Sequence, residues 1–301
     1  MINRRDFLRN SGAMALGAIA LSGTAKAFLL KDKLPPAGVQ LFTFFPKMDS
    51  DVKGTLQKIA SVGYKEVESA FSMKGGYYGM KSTEFASLVK DIGLGWKSHH
   101  VLGTPYINPA TGKPMTDQQG NAMRTLRDNY QELIDEVAAA GVPYIVCAMT
   151  AFGNTEELKT SIDTLNKSAE AAKKAGITLA YHNHDKEFTS LDGKVVYDTF
   201  LSEITPDMKM ELDLCWVTKA GVDPVEMFKK NPGRYPLWHV KDIDKDFTGP
   251  QPVGTGVVNF KRIFENAKTA GLQHYFVEHD MPADAVQSIT TSYNNLKKIL
   301  G

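Results

Sequence analysis

Cysteine is scarce. Cys147 and Cys215 are the only two in 301 residues, and both lie inside apolar, strand-like runs. That excludes a disulfide scaffold and a cysteine-lined structural zinc site, and it marks both thiols as buried. Net charge is equally scarce. The whole chain carries +1, and residues 1–27 hold Arg4, Arg5, Arg9 and Lys26 against Asp6 alone, which leaves 31 basic and 33 acidic residues beyond them. A balance of −2 offers nucleic acid no electrostatic footprint. The apolar run 13–21 is too short to span a bilayer. No glycine-rich dinucleotide fingerprint follows the first strand-like segment, where Leu41-Phe42-Thr43-Phe44-Phe45-Pro46 stands instead, and this weighs against an open doubly wound sheet. What remains is a chain 43% hydrophobic and 23% charged, enough for one large core.

The amino end reads as an address. A basic start, the apolar run 13–21 and small residues at Ala25 and Ala27 make the three parts of a cleavable secretory signal over residues 1–27. Asn3-Arg4-Arg5-Asp6-Phe7-Leu8-Arg9 resembles the twin-arginine export motif, in which paired arginines precede Phe-Leu and a basic residue. The expectation is a protein exported to the periplasm or beyond, with no stable membrane insertion after cleavage. Twin-arginine export of already folded chains also fits a preloaded metal. Residues 28–37 form a linker to a single domain over 38–301.

Beyond the leader one phrase recurs, an amphipathic helix ended by glycine and followed by a short apolar strand. Gly63, Gly93, Gly141, Gly176 and Gly271 mark these joints, where glycine suits the left-handed residue past a helix end. They predict strands over 64–69, 94–101, 142–149, 177–182 and 272–278, joined by three more over 38–44, 208–214 and 237–241. Helical patterns cover 126–140, 156–175, 224–230, 260–270 and 283–299. Eight such units in about 265 residues match the size of a (β/α)₈ barrel.

In a barrel of that kind, chemistry belongs at the carboxyl ends of the strands. His99 and His100 end the third strand, His182 and His184 the fifth, His239 the seventh and His279 the eighth; only His274 falls elsewhere. Glu68, Glu187, Glu211, Asp213, Asp242, Glu278 and Asp280 join them at or near the same rim. So much desolvated carboxylate requires a cation or shared protons. Oxygen and imidazole donors together suit one divalent ion, manganese first, with cobalt, iron, zinc or magnesium as alternatives.

These segments, in order, carry a resemblance that spans roughly 38–300: Gly38-Val39-Gln40-Leu41, Tyr64-Lys65-Glu66-Val67-Glu68, Tyr181-His182-Asn183-His184-Asp185-Lys186-Glu187-Phe188, Glu211-Leu212-Asp213-Leu214-Cys215-Trp216-Val217, His239-Val240-Lys241-Asp242, Gly254-Thr255-Gly256-Val257-Val258-Asn259-Phe260 and Phe276-Val277-Glu278. The chain resembles the xylose isomerase-like barrel superfamily of sugar isomerases, epimerases and inosose dehydratases. The resemblance implies a divalent ion held by a glutamate from strand five, an aspartate from strand six, a histidine from strand seven and a glutamate from strand eight. Asp213, His239 and Glu278 match the last three. The strand-five glutamate falls on Ala180, so Glu187 is expected to replace it, with His182 or His184 next.

The chemistry implied is proton abstraction beside a carbonyl through an enediolate, leading to isomerisation or epimerisation of an unphosphorylated sugar or keto-sugar. Expulsion of a β-substituent would make the enzyme a lyase or dehydratase instead, and a barrel that binds sugar without turnover is the non-enzymatic alternative. The related barrel nucleases, with three zinc ions and a basic groove, do not fit the charge. Glu278 and Glu187 are the candidate bases, His184 and His182 the proton carriers, and Lys241 the partner of a developing oxyanion. Gln40, Glu68, His100 and Trp216 are candidate sugar contacts, with Tyr77, Tyr78 and Phe45 as further aromatic faces. The glycine pair Gly254 and Gly256 reads as a turn rather than a phosphate cradle. The partner expected is a small carbohydrate, and a homo-oligomer is left open.

Overall fold

The computed structural model describes residues 34–108 and 111–301, so the leader expected over residues 1–27 lies outside them. Eight parallel strands close into a barrel: β1 Ala37–Gln40, β2 Glu66–Ser69, β3 Gly95–Leu102, β4 Tyr144–Met149, β5 Thr178–His182, β6 Lys209–Asp213, β7 Leu237–Val240 and β8 His274–Val277. Each strand pairs with its neighbours in sequence, and β1 closes the ring on β8 with Gly38 opposite Phe276. Helices run back along the outside, and the main ones are α1 Val52–Val62, α2 Ser82–Asp91, α3 Leu126–Ala139, α4 Thr155–Lys174, α5 Val196–Glu203, α6 Pro224–Lys230, α7 Phe260–Phe264 and α8 Ala285–Leu300. Among the described residues no helix is long and apolar enough to cross a membrane.

The helices begin where the sequence supplies caps. Asp51, Thr125, Asn154, Asp223 and Asp284 each accept a backbone N–H in the first turn of α1, α3, α4, α6 and α8, satisfying donors that would otherwise lack a partner. In α4, Glu156 and Glu157 open the helix and Lys173 and Lys174 close it, the polarity the helix dipole favours. The five expected glycine joints all have positive φ, Gly176 at 78° for example. The expected first strand over 38–44 is shorter than predicted. It stops at Gln40, whose side chain accepts from the Phe42 backbone N–H and turns 41–44 into a short 3₁₀ helix. The single helix expected over 260–270 is two pieces, Phe260–Phe264 and Ala267–Ala270.

Two apolar cores result. The large one fills the space between strands and helices, and a small one of Tyr144, Val146, Ala180, Leu237 and Phe276 plugs the barrel interior. Gly38 belongs to this second packing problem, because a Cβ there would lie 2.6 Å from the Phe276 ring. Below the plug, at the amino ends of the strands, His274 meets Glu66 at 2.7 Å. Above it, the interior becomes polar.

Candidate active site

The polar layer is built by inward positions that alternate along successive strands. Gln40 Nε2 donates to Glu68 Oε1 at 2.7 Å, and the Ser98 hydroxyl donates to the other oxygen of that carboxylate. His239 Nε2 sits 2.5 Å from Glu68 Oε1 and 3.2 Å from Glu211 Oε2. His100 Nε2 sits 2.6 Å from the same Glu211 oxygen. One step higher, His239 Nδ1 faces Glu278 Oε2 at 2.9 Å and Asp213 Oδ2 at 3.8 Å. Lys241, 1% exposed, places Nζ 2.5 Å from Glu278 Oε2, 3.0 Å from Asp213 Oδ2 and 3.1 Å from Asp280 Oδ2.

Local structure fixes each of these groups. Asp213 ends β6 and caps the short helix Leu214–Lys219, accepting through Oδ1 from the N–H groups of Cys215 and Trp216 at 2.8 and 3.0 Å. That leaves Oδ2 buried, turned toward Lys241 and without a hydrogen bond of good geometry. Asn183 Oδ1 accepts from the Asp213 backbone N–H at 3.1 Å and ties β5 to β6. Trp216 lies against Lys241, 5.1 Å from Nζ to its ring centre.

Burial and charge oppose each other throughout. Burial pushes the Glu278 carboxyl up, but the Lys241 ammonium and His239 outweigh it and hold Glu278 well below the usual carboxylate range. Burial and the neighbouring Glu68 raise Glu211 to about 7. Burial would lower His100, yet Glu68 and Glu211 lift it to about 9. At His182, burial followed by the nearby His239 prevails over Glu211 3.3 Å away and keeps the imidazole neutral.

Glu68, Glu211, Asp213, Glu278 and Asp280 share this space with one lysine. Carboxylates outnumber the fixed cation, an imbalance that protons held on the histidines or a bound cation relieves. The ligating atoms of Asp213, His239 and Glu278 lie within 4.8 Å of one another. Two carboxylates and an imidazole, with Asp213 Oδ2 held by the Lys241 charge but by no hydrogen bond, fit a borderline divalent ion. Above them opens a cavity of about 150 Å³ lined by Phe42, Phe71, His100, His182, His184, Lys241, Glu278 and Asp280, among others.

Several expected roles change once positions are known. Glu187 is 1% exposed and lies outside the group formed by Asp213, His239 and Glu278: its oxygens accept from the Tyr181 hydroxyl at 2.9 Å and the His184 N–H at 3.1 Å, bonds that brace the turn after β5. Gln40 and Glu68 are fully buried beneath the mouth and support His239 rather than line the cavity. Ala180 belongs to the apolar plug, paired in register with Lys209, while His182 pairs with Glu211 one inward step higher. Tyr77 and Tyr78 are packed in the outer core, and Phe45 stacks with Phe42 at 5.5 Å beside Phe71. His99 and His279 face the helix layer, bonded to Ser69 and Ser288. Ser98 was invisible in the sequence because a serine inside a strand carries no chemical signature. Its position opposite Glu68 appears only in the register of β2 with β3.

The glycine pair has a structural explanation. Asp242 accepts four backbone N–H bonds, from Ile243, Gly254, Gly256 and Val258, all at 2.9–3.0 Å. A Cβ on Gly256 would meet the Ile243 carbonyl oxygen at 2.0 Å. The amides that could have faced a phosphate are turned onto this carboxylate.

The model of the xylose isomerase-like TIM barrel family matches residues 56–299. The chain belongs to that family. None of the curated proteins matches it. Among solved structures, this xylose isomerase-like barrel is similar to a sugar phosphate isomerase/epimerase from Parabacteroides distasonis, at 24% identity and a TM-score of 0.72, over 87% of this chain and 93% of that one. An L-ribulose 3-epimerase aligns at 16% identity and 0.66, over 89% and 95%. A probable 3-DHS dehydratase, AsbF, from Bacillus anthracis aligns at 15% and 0.64, over 87% and 99%. At these identities the likeness establishes the fold that the xylose isomerase-like barrel shares with isomerases, epimerases and a dehydratase.

Proposed function

We propose that this protein is an exported, divalent-metal-dependent isomerase or epimerase of an unphosphorylated sugar or keto-sugar, removing the proton beside a carbonyl. The observation that carries the reading is the convergence of Asp213, His239 and Glu278 under a small cavity walled by Lys241, His182 and His184. Those three side chains would hold the ion, manganese being the first candidate, and an ion there supplies positive charge to neighbouring sugar oxygens. Glu278, placed beside Lys241 and His239 at the floor of the cavity, is the group that takes the proton from carbon. Lys241 supplies a fixed cation to the oxygen that gains charge. His184, 35% exposed at its side chain, carries protons between the cavity and water from across the barrel mouth. Gln40, Glu68 and Ser98 hold His239 from below. Phe42 and Phe71 offer apolar faces to a sugar ring.

An unphosphorylated substrate is supported by the use of the Gly254 and Gly256 amides on Asp242. Export is supported by Arg4-Arg5 before Phe7-Leu8. Elimination is the second reading, favoured by Asp280: burial raises its carboxyl, and it lines the cavity where a leaving group would need a proton. Incubating a panel of free sugars, inososes and 3-keto-glycosides with enzyme in deuterium oxide separates these outcomes. Deuterium beside the carbonyl with carbon skeleton and substituents intact is expected for isomerisation or epimerisation, whereas an unsaturated product marks elimination. No solvent deuterium in any keto-sugar, or turnover of phosphorylated sugars alone, would refute the proposal. Changing Arg4-Arg5 to Lys-Lys should retain the precursor in the cell.

A further inference from the structure

A second constellation lies deeper than the one used above. His100 on β3, His182 on β5, Glu211 on β6 and His239 on β7 bring one ligating atom each to within 4.8 Å of one another. Glu211 Oε2 is the hub, 2.6 Å from His100 Nε2, 3.2 Å from His239 Nε2 and 3.3 Å from His182 Nδ1. All four residues are more than nine-tenths buried. A packed polar cluster of this kind should be saturated with hydrogen bonds. Two of its atoms are not: His182 Nδ1 is aimed at the hub without a hydrogen bond, and Glu211 Oε1 has no partner.

From this geometry we infer a second metal site, in which His100, His182, Glu211 and the Nε2 face of His239 bind a nitrogen-preferring divalent ion of the zinc class. Once Glu68 Oε1, 2.5 Å away, gives up its hold on His239 Nε2, three imidazoles and one carboxylate are a donor set for zinc or cobalt and a poor one for magnesium or calcium. The surroundings provide what such ligands need. Opposite its Nε2, the His239 ring presents Nδ1 to Glu278 at hydrogen-bond distance, 2.9 Å, whereas His182 Nε2 lies 3.9 Å from Asp213, beyond a hydrogen bond. Carboxylates behind ligand imidazoles fix the tautomer and raise the basicity of the nitrogen facing the ion. The apolar plug with Val146 and Leu237 forms the floor. His239 is common to both sets, Nδ1 toward the mouth and Nε2 toward the interior, and a neutral imidazole offers one lone pair. Occupancy of the interior site by this ring therefore excludes its use at the mouth.

Cobalt(II) titration of metal-free protein tests the assignment without reference to turnover. Four-coordinate, nitrogen-rich cobalt gives intense visible bands, whereas six-coordinate oxygen-rich cobalt gives weak ones. The expected result is intense bands in the wild type and in Glu278→Gln, whose amide oxygen still accepts from His239. Glu211→Gln and His182→Asn should lose the bands and should weaken zinc binding by more than the roughly 10–100-fold that losing an outer-shell partner costs. Far-UV circular dichroism and melting of the metal-free variants establish that each is folded, and the two substitutions lie on different strands. Weak bands only in the wild type, or intense bands that survive both Glu211→Gln and His182→Asn, would overturn the interior site. Loss of bands in Glu278→Gln alone would place the ion at the mouth with Asp213 and Glu278, and would refute the interior site.

Discussion

Lys241 occupies the space between the carboxylates that would hold a divalent ion, so replacing it with methionine probes the balance of charge at the mouth. Nζ lies 3.0 Å from Asp213 Oδ2 and 2.5 Å from Glu278 Oε2, and the three residues are 1%, 0% and 5% exposed. Asp280 is a weaker partner because 26% of its side chain reaches solvent. Breaking a buried ion pair on one side leaves charge without a partner and costs about 3–5 kcal/mol. In a barrel of this size that corresponds to a fall of about 6–20 °C in melting temperature for the metal-free protein. A divalent ion at a hundred times its dissociation constant returns about 2.7 kcal/mol. In the wild type the ion must first displace the ammonium from the same oxygens; in Lys241→Met it need not. Melting curves of both proteins, with chelator and with saturating manganese, should therefore show a lower metal-free midpoint and a larger manganese-induced rise in the variant. A metal-free variant within about 1 kcal/mol of wild type, or equal rises in the two proteins, would refute the argument that ammonium and ion compete for Asp213 and Glu278.

Asp242→Asn should cost about 2–6 kcal/mol, because the amide nitrogen faces two of the four backbone donors and leaves them unpaired; a change in the denaturation midpoint worth less than about 1 kcal/mol would contradict the loop role. Glu187→Gln should cost about 1–3 kcal/mol through Tyr181 and His184 while metal content, read by elemental analysis, stays the same; lost metal would restore Glu187 to the ligand set. His99 supplies a pH test. Burial lowers it from an ordinary value near 6.5 to about 3, so between those values the unfolded chain takes up a proton that the folded chain refuses, and stability falls as pH falls. Between pH 7 and 5 the wild type should lose about 2 kcal/mol more than His99→Gln in urea denaturation; parallel losses would show that His99 is not the group responsible.

Sequence alone determined the barrel and its direction. Helix caps, glycine joints and strand spacing are local signals, written within a few residues of the geometry they specify, and they placed eight strands in order with no end displaced by more than four residues. They also determined which end of the barrel carries the histidines and acids, because a strand's carboxyl end is defined along the chain. Tertiary structure alone decided which of these side chains meet. His99 and His100 are adjacent in sequence, yet alternation sends one to Ser69 in the helix layer and the other to Glu211 in the interior. Glu187 is close to Asn183 in sequence, but the turn after β5 spends its carboxylate on Tyr181 and His184. Asp242 gathers amides as far away as Val258. Distances between side chains on different strands depend on register, closure and the face each residue presents, and those are fixed by packing the whole barrel at once.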